Sequence, residues 1–246
     1  IGHRTNKHTA SELAKFIEQG IAQDLTELGF ADHDEYLSEL DFSNFFQLQR
    51  RYPQIRLRLG LEVDYRPGLE KVLRRRLAPY QFDYLIGSIH FIGDWPFDHP
   101  AYTAGYAAWD IDELHQTYFS LVTQMVRSGQ FDIVGHLDLI KVFGYRPGKP
   151  VLSLMGNLLE IIKEKSLAVE INTNGLYKPV GEIYPALEIL QACFKLGIPI
   201  TIGSDAHRSE DVGRSFDAAC ALAYKAGYRR IATFHQKELV LRNMDG

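Results

Sequence analysis

The chain has 246 residues, 46% hydrophobic and 24% charged, which suits a globular unit and excludes a disordered one. Its 27 basic and 31 acidic residues leave a formal charge of −4, so neither nucleic acid nor an anionic membrane is an expected partner. No apolar run approaches the roughly 20 residues of a membrane span, and the two cysteines, Cys193 and Cys220, make no disulfide framework and suit a reducing, cytoplasmic setting.

The chain opens Ile1-Gly2-His3-Arg4, with neither an initiator Met nor a signal peptide, as though a strand preceded it. An amphipathic helix follows, with Leu13, Phe16, Ile17 and Ile21 on its apolar face and Ser11 as the expected cap. Further helical patterns start near Leu37, Gly68, Asp110, Val151, Tyr184 and Asp211. Between them lie short apolar runs expected as strands: Leu25 to His33, Ile55 to Asp64, Phe82 to His90, Phe131 to Asp138, Leu167 to Thr173 and Pro199 to His207. Strand and helix alternating throughout predict an α/β fold with a helix-covered parallel sheet. No linker, low-complexity tract or fixed repeat divides the chain, so 1–246 is expected to form one domain. No G-x-G-x-x-G or phosphate-binding P-loop stands at a strand-to-helix turn, which lowers the weight of nucleotide-binding sheets.

The strand ends share a chemistry. They read Asp32-His33, Glu62-Val63-Asp64, Ser88-Ile89-His90, His136-Leu137-Asp138, Glu170-Ile171-Asn172 and Ser204-Asp205-Ala206-His207. In a parallel barrel these ends converge on one face, where active sites are built. Four of the nine histidines fall there, joined by Glu62 and Asp205. Burying so many ionisable groups together is costly without a cation to balance them. Imidazoles with carboxylates and no thiolate suit catalytic Zn, Mn or Fe rather than a structural zinc finger.

Four segments carry a family resemblance: Gly87-Ser88-Ile89-His90-Phe91-Ile92-Gly93-Asp94-Trp95-Pro96-Phe97-Asp98, Gly135-His136-Leu137-Asp138-Leu139-Ile140, Glu170-Ile171-Asn172-Thr173 and Gly203-Ser204-Asp205-Ala206-His207. With them the chain resembles the polymerase-and-histidinol-phosphatase (PHP) superfamily. The Trp-Pro-Phe-Asp segment and Glu182-Ile183-Tyr184-Pro185 resemble its histidinol-phosphate phosphatase branch. The resemblance implies a distorted, TIM-like (β/α)7 barrel with two or three divalent metal ions at its C-terminal face. It implies that Glu62 bridges two ions, with His90 and His136 completing the second and Asp205 helping to hold the first. His33, His207 and His3 are implied for the third, His8 being a competitor of His3. Glu62, Asp205 and His207 are the implied catalytic residues. The family's opening His-x-His is expected just upstream of Ile1, or else the first metal site is lost.

The implied reaction is hydrolysis of a phosphate monoester, L-histidinol phosphate, by metal-activated water and without a phosphoenzyme. Lys141 and Lys178 are the candidate phosphate contacts, with Arg146 and Arg208 in reserve. The family often has an arginine near Tyr177, where this chain has Lys178; a lysine gives a point charge without the bidentate fork. Trp95 and Phe97 are candidates to pack on the substrate ring, Glu182 or Asp98 to meet its ammonium, and Tyr184 to touch phosphate or ring. The proton donor to the leaving oxygen stays open. So do the oligomeric state and two alternatives: a PHP-type enzyme for another ester such as a nucleotide, and a metal-binding barrel without catalysis.

Overall fold

The computed structural model describes residues 8–244. Six strands, β1 (Glu27–His33), β2 (Arg56–Asp64), β3 (Tyr84–Ser88), β4 (Ile133–Val134), β5 (Ala168–Asn172) and β6 (Ile200–Gly203), pair in sequence order, every pair parallel. Each lies within one of the six expected runs. The helices between them are α1 (Ala10–Ala22), α2 (Phe42–Arg51), α3 (Glu70–Leu77), α4 (Ile111–Arg127), α5 (Val151–Leu154), α6 (Leu158–Glu164), α7 (Leu187–Leu196) and α8 (Phe216–Ala226). Among the described residues no helix is long and apolar enough to cross a membrane.

The sheet is a curled half-barrel of the expected α/β type. Its register sets His33 opposite Glu62 and Gly29 opposite Arg58, so alternate residues of β1 and β2 share the inner face. Glycine at 29 and 60 is required by close approach. A Cβ at either position would run into the Tyr84 ring, which lies across both strands inside the curl. On the outer face, α4 buries Tyr118, Phe119, Val122, Met125 and Val126, and a Cβ at Gly87 would press on Met125 and Phe131.

Two local expectations change. Thr9, not Ser11, caps α1: its hydroxyl accepts from the Glu12 amide at 3.3 Å while Ser11 lies inside the helix. The C-terminus also carries an unforeseen antiparallel hairpin, β7 (Arg230–His235) and β8 (Glu238–Asn243). Its turn places Gln236 and Lys237 at positive φ, 49° and 71°, without the Asn-Gly signature that announces such turns. The hairpin is latched below the sheet. The amides of Gln236 and Lys237 donate to the Asp83 carboxylate and carbonyl, each at 2.9 Å, and Phe234 packs on Tyr84.

Among the described residues, neither the outer edge of β1 nor that of β6 pairs with another strand. A cavity of about 700 Å³ lies between these edges, with the hairpin at its lower end.

Candidate metal and phosphate site

The strand ends assemble a row of imidazoles around one carboxylate. The ring centroids of His207 and His33 lie 6.0 Å apart, His33 and His90 5.8 Å, and His90 and His136 5.1 Å. Glu62 reaches into the row from β2 and is buried. Its Oε1 lies 3.1 Å from His136 Nε2 and 3.6 Å from His90 Nε2, and its Oε2 3.7 Å from His33 Nδ1. Ser88 donates to Glu62 Oε1 at 2.7 Å. Burial pushes the Glu62 carboxyl upward, but the His136 hydrogen bond and the charges of His33, His136 and His90 outweigh it and hold the group well below the usual carboxylate range. One donor atom each from Glu62, His90 and His136 falls within 4.8 Å of the others, close enough to share one cation.

These residues fit a metal on the chemistry of their donors. His136 Nδ1 is buried without a hydrogen-bond partner among the described residues, an unusual cost for a group of this kind. Two positions here also hold strained backbone without glycine: His136 at φ 21° and Asp205 at φ 48°. Other groups fix the ligands. The His136 amide donates to Glu170 at 3.0 Å, and the His90 amide donates to Asp64 at 3.3 Å. Asp64 is held in turn by Arg66 at 3.1 Å, whose guanidinium lies 3.5 Å over the Phe91 ring. Burial, against a lowering contribution from His136, pushes the Glu170 carboxyl up to about 7.

Asp205 and His207 belong to a looser arm. Asp205 Oδ2 accepts from Asn174 Nδ2 at 2.9 Å and from Asn172 Nδ2 at 3.4 Å. His207 Nδ1 lies 3.0 Å from the Asp205 carbonyl. The whole cluster sits where the gap between β1 and β6 meets a second cavity, of about 640 Å³, on the strand-end face.

With this geometry in hand, comparison with known proteins decides the family. The PHP domain model matches residues 3–174, and the model of the PHP-associated region matches residues 188–216. The chain belongs to the PHP family. Over 204 residues it is 39% identical to a probable histidinol-phosphatase of Deinococcus radiodurans, covering 82% of this chain and 76% of that protein. It is 28% identical to the histidinol-phosphatase of Lactococcus lactis, covering 89% and 87%. The crystal structure of histidinol phosphate phosphatase from Lactococcus lactis, complexed with zinc, L-histidinol and phosphate, superposes with a TM-score of 0.77 at 24% identity, covering 92% of both chains. At that identity the superposition speaks for the PHP fold.

The PHP chain brings together His33, Glu62, His90, His136, Asp205 and His207, and both cavities touch all of them except His90, which only the strand-end cavity touches. His3 lies outside the described residues. Its competitor His8 accepts the Asp41 amide at 2.9 Å and sits 3.6 Å from Asp32, lining neither cavity. Lys178 and Tyr184 line the strand-end cavity, and the buried Tyr184 hydroxyl has no hydrogen-bond partner among the described residues.

Other expected contacts point elsewhere. Lys141 is buried, 2.8 Å from Asp138 and 3.2 Å from both Glu182 and the Ile183 carbonyl. The 3-10 turn Leu139–Lys141 folds its ammonium back under the 182–186 segment, 5.5 Å from the centre of the Tyr184 ring, and Lys141 lines neither cavity. Glu182 pairs with that lysine and with Arg146, at 2.5 Å, and neither Glu182 nor Arg146 lines the cavity. Arg208 lies on the exposed surface beside Glu210 and Asp211. Trp95 packs on Tyr106 at 4.9 Å and donates to the Tyr102 carbonyl, while Phe97 is fully buried against Tyr118. Neither ring lines the cavity.

Asp64 and Glu170 stand among the strand-end residues of the sequence without a role of their own there, and Asn174 is not among them. Glu170 carries a readable signal, since its carboxylate interrupts the otherwise apolar run Leu167 to Ile171.

Proposed function

We propose that this PHP protein is a metal-dependent phosphomonoesterase that hydrolyses L-histidinol phosphate to L-histidinol and phosphate, a step of histidine biosynthesis in the cytoplasm. The observation that carries the reading is the Glu62, His90 and His136 corner opening into the 640 Å³ cavity. The names of the relatives from Deinococcus radiodurans and Lactococcus lactis support the substrate.

Two or three divalent ions, of zinc, manganese or iron, are the proposed cofactors. Glu62, His90 and His136 would hold the ion at the corner, with Glu62 as the ligand shared with a further ion held by Asp205, and His33, His207 and His3 would hold a third. Bound there, such ions supply neutralisation of phosphoryl oxygens and acidification of water. The chain's own groups do the rest. Glu62 is kept anionic by its imidazole neighbours and stays a ligand at neutral pH. Ser88 holds one carboxylate oxygen in place, and Asp64 and Glu170 fix the His90 and His136 backbones. Lys178 brings a cation to the phosphate, and Tyr184 walls the pocket beside His136. Residues 1–246 are read as one phosphatase domain.

The test is a turnover panel on chelated and metal-reconstituted protein, setting histidinol phosphate against generic phosphate monoesters. Chelation should abolish activity and metal restore it, with histidinol phosphate leading in kcat/KM. Activity that survives complete metal removal, or a preference for nucleotides, overturns the reading.

A further inference from the structure

The Trp95-Pro96-Phe97-Asp98 segment packs its rings inward instead of offering them to a ligand. Phe97 is fully buried on Tyr118, and Trp95 stacks with Trp109 and lies edge-on to Tyr106. The next residue, His99, opens a 3-10 helix and caps it by accepting the Ala101 amide at 3.2 Å. Asp98 is therefore held between a buried anchor and a capped helix start, and it lines the strand-end cavity.

The acidic side chains of that cavity outside the metal cluster are Asp34, Glu35, Asp64, Glu70 and Asp98. Asp34 is paired with Arg76 at 2.9 Å and Asp64 with Arg66 at 3.1 Å. Glu70 accepts from Tyr65 at 2.6 Å, and Glu35 bonds the Tyr36 hydroxyl. Asp98 alone makes no hydrogen bond or ion pair with any described residue. It lines the same cavity as Glu62, His90, His136 and Tyr184, and its charge raises the His90 imidazole. A half-buried carboxylate that makes no ion pair keeps hydrogen-bonding capacity that a ligand's ammonium fills. Among the described residues, the other charged side chain of the cavity that makes no ion pair is the cation Lys178. One free anion and one free cation flanking a metal corner match a substrate with an amine and a phosphate on the same short chain.

We infer that the Asp98 carboxylate is the subsite for the substrate's protonated amine and sets a preference for aminoalkyl phosphates over amine-free esters. The inference rests on the phosphatase reading above and adds to it the group that recognises the substrate's nitrogen.

The test compares metal-loaded wild type with Asp98→Asn on L-histidinol phosphate and on its deaminated counterpart, imidazolylpropyl phosphate. The measured quantity is the ratio of the two kcat/KM values. Any effect transmitted through His90 falls on both esters and cancels in the ratio. A charge-assisted hydrogen bond predicts that the ratio drops about 10–100-fold, mainly through KM, and that Asp98→Glu keeps part of it. An unchanged ratio overturns the proposal, whatever happens to the absolute rates. Calorimetric binding of phosphoethanolamine and ethyl phosphate to both proteins reads the same preference without turnover. A wild type that prefers phosphoethanolamine, with the preference lost in Asp98→Asn, supports the subsite even if histidinol phosphate is not hydrolysed. That last failure would count against the proposed function alone.

Discussion

Glu62, His90 and His136 stand on or just beyond β2, β3 and β4, three strands hydrogen-bonded to one another, whereas Asp205 and His207 follow β6, whose outer edge no described strand pairs. The first group is tight. Its donor atoms converge within 4.8 Å, and its one anion is surrounded by imidazoles. The second is held by amides, with Asn174 at 2.9 Å from Asp205 and its imidazole turned to a backbone carbonyl. Ladder hydrogen bonds fix the spacing of neighbouring strand ends to within fractions of an ångström, and a side chain beyond an edge strand lacks that support on one side. The contrast teaches that the geometry of the β2–β4 corner is built into the sheet ladder, while the β6 arm has ladder support on one side only.

Glu62→Gln is the change that should separate the halves most. It removes the one carboxylate shared by His33, His90 and His136. Outer-shell changes at metal sites cost 10–100-fold, so loss of this ligand should lower kcat by more than about 100-fold and reduce the bound metal measured by elemental analysis. Asp205→Asn should cost less, about 10–100-fold, and leave metal at the corner. Equal metal loss in both variants would break the comparison and make the two groups one cooperative cluster.

A second pair of variants sharpens it through stability. Lys141 and Asp138 are both buried, and Asp138 also accepts the Ala186 amide at 3.0 Å, tying the turn after His136 to the 182–186 segment. Lys141→Met leaves a buried carboxylate without its cation, a change that costs about 3–5 kcal/mol. For a chain of this size the thermal midpoint should fall by about 6–20 °C. Arg208→Met, on the exposed surface beyond the β6 arm, should barely move it. An unshifted midpoint for Lys141→Met would return that lysine to the list of phosphate contacts.

What the sequence could and could not tell follows from range. The six strand runs and their metal-ligand ends are local patterns, and hydrophobic periodicity with strand-end chemistry exposes them. The direction of Lys141 is not local. Its place depends on Asp138 three residues back and on Glu182 forty-one residues on, and a lysine after a strand reads equally well as a phosphate contact. The same holds for Trp95 and Phe97: aromatic residues in a strand-end loop suit either a substrate or the packing of Tyr106 and Tyr118, and only the fold chooses. The β7–β8 hairpin escaped because its turn uses Gln236 and Lys237 where glycine or asparagine gives the usual sign. Asp98 was visible as one of two carboxylates for an ammonium, and the fold removes the other by pairing Glu182 with Arg146 and Lys141.

The smallest expected effect concerns Lys178. It sits on the exposed stretch after the 3-10 segment Thr173–Tyr177, on the β5 side between the two groups of ligands, and makes no ion pair with a described residue. An exposed ammonium is screened by water and salt, so its attraction for a phosphate is modest, on the order of 1 kcal/mol or less. It binds the phosphoryl group alike in the ground and transition states, because its flexible stem lets the charge follow the ligand. Uniform binding of that kind appears in KM and not in kcat. Lys178→Ala should therefore raise KM up to about fivefold at low ionic strength, and the effect should fade as salt is added. Lys178→Arg should hold or lower KM by offering a fork to two phosphate oxygens. A fall in kcat at constant KM would mean instead that the cation meets charge that develops only during bond breaking, and would set Lys178 beside the β2–β4 corner as part of the chemistry.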